Sequence, residues 1–61
     1  MINLKPIRIA KKLTQKEVAK IVGISTSFYN EIENGKRRPA VAKAKKIAKV
    51  LEIDWVLLIE L

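Results

Sequence analysis

Residues Gln15 to Asn34 read QKEVAKIVGISTSFYNEIEN, and their periodicity decides the fold. In the first half Val18, Ala19, Ile21 and Val22 form an apolar stripe at helical spacing, while Lys16, Glu17 and Lys20 point outward. Gly23 interrupts the pattern where a helix end needs a left-handed residue, a conformation that glycine reaches without a Cβ clash. Ile24 can tuck under the turn, and Ser25 is a suitable N-cap for a second helix. In that helix Phe28, Tyr29 and Ile32 fall on one side, with Thr26, Ser27, Asn30 and Glu31 on the other.

Two features narrow this helical pair. Ala19 is small at the place where two steeply crossing helices must approach closely. The outward side of the second helix carries two hydroxyls, an amide and a carboxylate, with no long Lys or Arg. A side built only for solubility more often carries Lys and Glu, whereas short hydrogen-bonding groups suit base edges in a groove. The stretch therefore reads as a helix-turn-helix, with Thr26 to Glu33 as the recognition helix.

The run LTQKEVAKIVGIS…IENGKRRP resembles the Cro/C1-type (XRE-like) helix-turn-helix family of phage and bacterial regulators. The resemblance spans about Leu4 to Leu58 and rests on the spacing of Gln15, Ala19, Gly23, Tyr29, Ile32, Glu33 and Gly35. It implies an all-α fold, a compact five-helix bundle of the lambda repressor-like kind, with residues 1–61 as a single DNA-binding domain. It also implies a sequence-specific regulator of transcription, most often a repressor. Two subunits would read a palindromic operator of double-stranded DNA through the major groove, at half-sites about 34 Å apart.

Composition agrees with that expectation. The 61 residues carry 13 Lys and Arg against 6 Asp and Glu, a net charge of +7, with a pI near 10.1. Such an excess suits an anionic partner, whether nucleic acid, membrane surface or acidic protein. A hydrophobic fraction of 49% argues against disorder. A chain this short buries only a modest core. It has no Cys and no His, so disulfides, the usual general bases and most metal ligands are missing, and neither enzyme activity, a metal site nor a cofactor is expected. Ser25 and Ser27 have no evident activating partner. There is no signal-peptide core and no run long enough for a membrane span, so a cytoplasmic location in a bacterial or phage-infected cell is expected. No internal repeat or low-complexity linker is present.

The flanking segments complete the expected bundle. A first helix runs from about Asn3, its N-cap, to Lys12, with Pro6 in the first turn and Leu4, Ile7 and Ala10 toward the core. The resemblance implies that Arg8 pairs with Glu33 at the end of the recognition helix. Glu33 falls toward the inner side of its helix, although two independent surface charges remain the alternative. Thr14 and Glu17 have capping-box spacing, which places Gln15 in the first turn of the second helix. By resemblance Gln15 contacts a DNA phosphate and steadies a neighbouring recognition side chain; otherwise it is simply a good helix former.

After the recognition helix, Asn34-Gly35 signals a turn and Pro39 delays the next helix. The resemblance makes Asn34, Lys36 and Arg37 or Arg38 phosphate contacts, and a solvated basic loop is the alternative. Thr26, Ser27, Asn30 and Glu31 are the candidate base readers. Glu31 has two readings: it accepts from cytosine, or it pairs with Lys36 or Arg37. Phe28 either packs against the fourth helix or lies at the DNA rim.

The fourth helix spans about Ala40 to Leu51. Val41, Ala44, Ile47, Ala48 and Leu51 form its inner stripe, and Lys43, Lys45, Lys46 and Lys49 its outer surface. Alone it could pass for a membrane-surface helix, but in context its stripe is the floor of a core. Asp54 is expected to cap a fifth helix from Trp55 to about Glu60. Trp55, Leu58 and Ile59 would close the core, leaving Val56, Leu57 and Leu61 to a partner. The family commonly dimerises there, so a homodimer, at least on DNA, is expected. A foreign protein partner, as in antitoxins sharing this fold, is the alternative occupant. Longer members carry a C-terminal oligomerisation or cleavage domain; none is expected here, so control of that kind would come from elsewhere.

Overall fold

A computed structural model describes residues 3–59. These hold four α-helices and one 3-10 turn: α1 (Leu4–Ala10), α2 (Gln15–Val22), α3 (Thr26–Glu33), α4 (Val41–Leu51), then the turn Trp55–Leu58. No strand occurs among the described residues.

Each α-helix except α4 begins with a side-chain cap. Asn3 accepts from the Lys5 N–H. Thr14 and Glu17 form a reciprocal capping box, with bonds of 3.0 and 2.9 Å. Ser25 accepts from the Phe28 N–H at 3.0 Å. Each cap satisfies a backbone donor that has no partner within its own helix. The ends are equally local. Gly23 ends α2 at φ +86°, with its N–H and that of Ile24 both donating to the Ala19 carbonyl. Beyond α3 the Gly35 N–H reaches the Ile32 carbonyl and the Lys36 N–H the Glu31 carbonyl. That is a Schellman closure, and Gly35 holds its left-handed position at φ +76°.

The core lies where α2 packs against α3 and α4, with the 3-10 turn packed on α4. Leu4, Val18, Ala19, Val22, Tyr29, Ile32, Ala44, Ile47, Ala48, Leu51 and Leu58 are buried. Phe28, Trp55 and Ile59 are half-buried against them. Pro39, read from the sequence only as a delay before α4, is itself buried.

Three positions assigned to the core are instead exposed. Ile21 stands 61% exposed: the buried trio of α2 is Val18, Ala19 and Val22, and at helical period Ile21 falls on its outer flank. Val41 is exposed because it lies in the first turn of α4, before the inner stripe begins at Ala44. Ala10 faces solvent, and the inward place on α1 goes to Arg8 instead.

The expected fifth helix takes the form of a single 3-10 turn within the described residues, capped by Asp54 through the Val56 N–H. Three residues per turn stack Trp55 on Leu58, so a very short segment places both against the core. Glu60 and Leu61 lie outside the described residues.

Candidate DNA interface

α2, the turn Gly23–Ser25 and α3 form the helix-turn-helix unit. On α3, Tyr29 and Ile32 are buried while Thr26 and Ser27 are exposed. Asn30 and Glu31 are half-buried, and Asn34, Lys36, Arg37 and Arg38 are exposed just beyond the helix end. The short polar side of α3 and the basic loop are thus contiguous along the chain.

Behind this surface lies a connected polar network. Arg8 Nε donates to Glu33 Oε2 at 2.9 Å and its Nη2 to Oε1 at 3.0 Å, a bidentate fork. Its Nη1 donates to the Leu13 carbonyl at 2.8 Å, so one guanidinium ties α1, the loop after it and the end of α3 together. The two side chains are 10% and 2% exposed. Burial alone would raise the Glu33 pKa, but the hydrogen bonds from Arg8 and Gln15 outweigh it and hold the carboxyl below its usual range. The hydrogen bond that Arg8 donates to Glu33 in turn raises the Arg8 pKa.

Gln15 extends the network outward. Its Nε2 donates to Glu33 Oε1 at 3.2 Å, and its Oε1 accepts from Asn30 Nδ2 at 3.2 Å. Asn30 Oδ1 then accepts from Asn34 Nδ2 at 3.1 Å. Resemblance implied that Gln15 steadies a neighbouring recognition side chain; in the structure a hydrogen bond joins it to Asn30, and Asn34 belongs to the same chain. The i, i+4 spacing of Asn30 and Asn34 was a readable sign of the outer bond. The Gln15–Asn30 bond depends on how α2 crosses α3, for which no local signal exists.

Of the two readings of Glu31, the free protein adopts pairing with Arg37: Arg37 Nε donates to Glu31 Oε2 at 3.0 Å. Beneath the surface, burial pushes the Tyr29 phenol pKa up, and the neighbouring Glu33 carboxylate adds to the effect. Its hydroxyl makes no well-formed hydrogen bond. In the 3-10 turn Val56 and Leu57 are 40% and 39% exposed; Leu61, the third residue assigned to a partner contact, lies outside the described residues. Lys45 sits 5.0 Å over the Trp55 ring, close enough for a cation–π contact. No helix among the described residues is long and apolar enough to cross a membrane.

A helix pair with a capped, solvent-facing polar second helix, backed by a buried ion pair and flanked by basic residues, defines a helix-turn-helix DNA-binding domain. The family model described as Helix-turn-helix matches residues 4–58, and the chain belongs to this family, in its Cro/C1 (XRE) branch. Similar proteins include the HTH-type transcriptional regulator YqaF of Bacillus subtilis, 46% identical over 93% of this chain and 75% of that protein. The HTH-type transcriptional repressor RghR of the same organism is 40% identical over 87% of this chain. The ImmF control region 10 kDa protein of Bacillus phage phi105 is 35% identical over 84%. The chain spans 40% of RghR and 57% of the phage protein. The family's members are DNA-binding transcription regulators and not enzymes.

Proposed function

We propose that residues 1–61 form one DNA-binding domain of a repressor that reads a palindromic operator in the cytoplasm of a bacterial or phage-infected cell. The observation that carries this is the composition of the exposed side of α3. Thr26 and Ser27 are exposed and short enough to enter the major groove, with the half-buried Glu31 on the same helix. The exposed Lys36, Arg37 and Arg38 lie just past the same helix and would neutralise phosphates on either side of the groove. Gln15 and Asn34 would add N–H donors to phosphate oxygens.

Palindromic reading requires two copies. The half-exposed Val56 and Leu57 supply an apolar surface, and a twofold contact there would join two domains. A foreign protein held at the same surface, as in antitoxins, is the second reading. Sedimentation of the protein alone, with operator duplex, and as a Val56→Glu, Leu57→Glu variant separates them. A twofold complex on DNA that the variant loses supports the dimer. A monomer bound to DNA with undiminished affinity in the variant contradicts it.

A further inference from the structure

The chain Glu33–Gln15–Asn30–Asn34 has a direction. Glu33, held ionised by the Arg8 fork, has no proton to give, so the Gln15 group facing it must be the NH2. That orientation turns Gln15 Oε1 toward Asn30, which must then present its own NH2. Asn30 Oδ1 consequently faces Asn34 and accepts from it. One carboxylate therefore sets the orientation of three amides in sequence. A primary amide nitrogen carries two hydrogens and a carbonyl oxygen is an acceptor. Each nitrogen here spends one hydrogen within the chain, and the carbonyls of Gln15 and Asn30 each accept one bond from a neighbour.

From this directionality we infer that Asn30 is a positioning residue rather than a base reader. Pairing with adenine needs an Asn to accept from N6–H2 through its carbonyl while donating to N7. The Asn30 carbonyl accepts from Asn34 and its nitrogen donates to Gln15, so both ends of the amide are tied to neighbours. Its spare lone pair and N–H reach a base only by sharing or breaking those bonds. What the chain offers outward is a second N–H on each amide, a set of donors suited to phosphate oxygens. Asn30 links Gln15, at the start of α2, to Asn34, just past the end of α3, so the two phosphate contacts are set by one side chain between them. The inference rests on the proposed operator-binding function. It narrows the direct readers on α3 to Thr26 and Ser27, with Glu31 paired to Arg37 in the free protein.

The test selects binding sites from a randomised duplex pool with the wild-type protein, then measures the affinity of Asn30→Ala and Asn30→Asp for the selected site and for every single-base variant of it. If Asn30 positions the amides, Asn30→Ala keeps the consensus and loses about three- to tenfold in affinity for all sites alike, the worth of a hydrogen bond or so. Gln15→Ala and Asn30→Ala combined then lose less than the product of their separate losses. Asn30→Asp, which cannot donate to Gln15 and brings a negative charge toward the phosphates, weakens binding further with the same consensus. A preference relaxed at one base pair in Asn30→Ala, or moved from adenine to cytosine in Asn30→Asp, would overturn the inference, as would undiminished affinity in both. Selection of no consensus by the wild type would overturn the operator reading itself, a result distinct from either.

Discussion

Arg8 and Glu33 lie 25 residues apart in sequence, yet two parallel hydrogen bonds of 2.9 and 3.0 Å join them. The fork fixes the end of α3 against α1, and through Gln15 it also orients the amides beside the DNA-facing surface. A buried pair of this kind adds little net stability, but removing one partner strands the other charge at a cost of about 3–5 kcal/mol. A domain of this size has a total stability of roughly 3–9 kcal/mol. Arg8→Ala or Glu33→Ala alone should therefore leave it marginal or unfolded. The double change Arg8→Met, Glu33→Leu should be clearly more stable than either single variant in urea denaturation.

The same pair predicts an acid limb to stability. The folded-state pKa of Glu33 is below the ordinary value of 4.5, because the hydrogen bonds from Arg8 and Gln15 prevail over burial. Its contribution is complete above pH 4.5 and is lost as pH falls through the folded value, since the unfolded chain then binds the proton first. Glu33→Gln should be less stable at neutral pH and should show a flatter decline in acid. Denaturation midpoints followed from neutral pH into that acid range measure both.

Tyr29 offers a test of packing beneath the interface. Its ring is fully buried, but its hydroxyl has no hydrogen-bond partner. Removing an unsatisfied buried group relieves a desolvation cost, so Tyr29→Phe should leave stability unchanged or raise it by about 1 kcal/mol. A loss of about 1–3 kcal/mol in thermal or urea melts would mean that the hydroxyl donates to Glu33 in solution.

Glu31 bears on DNA affinity directly. In the free protein it occupies Arg37, and both side chains are substantially exposed, so the pair contributes about 0–1 kcal/mol. Glu31→Gln should release Arg37 for phosphate and remove a negative charge from the interface. We expect affinity to rise a few-fold on all sites and the salt dependence to steepen. A loss confined to sites with one particular base would instead make Glu31 a reader of that base, as its chemistry toward cytosine allows.

Much of this architecture was legible because it is local. The caps at Asn3, Thr14, Ser25 and Asp54 and the turns at Gly23 and Gly35 each depend on a few neighbouring residues, and sequence spacing carries that information. Ile21, Val41 and Ala10 were misplaced because they lie at the margins of a stripe, where periodicity gives no sharp boundary and tertiary contacts decide. An apolar segment after Asp54 was evident, but its collapse into one 3-10 turn depends on how Trp55 and Leu58 meet α4. The amide chain through Asn30 was only partly legible: resemblance implied that Gln15 steadies a recognition side chain, but which one is decided only once α2 and α3 have crossed. Resemblance to a family suggested the Arg8–Glu33 pair, which spacing alone left open.

Selection from a randomised duplex pool, repeated across a series of salt concentrations, tests the central claim most directly. A base-reading dimer should enrich a palindromic consensus, with affinity falling steeply as salt rises because Lys and Arg displace counterions from the phosphates. Salt-sensitive binding without any enriched sequence would contradict sequence-specific reading by α3. An absence of binding even at low salt would contradict DNA as the partner of this surface altogether.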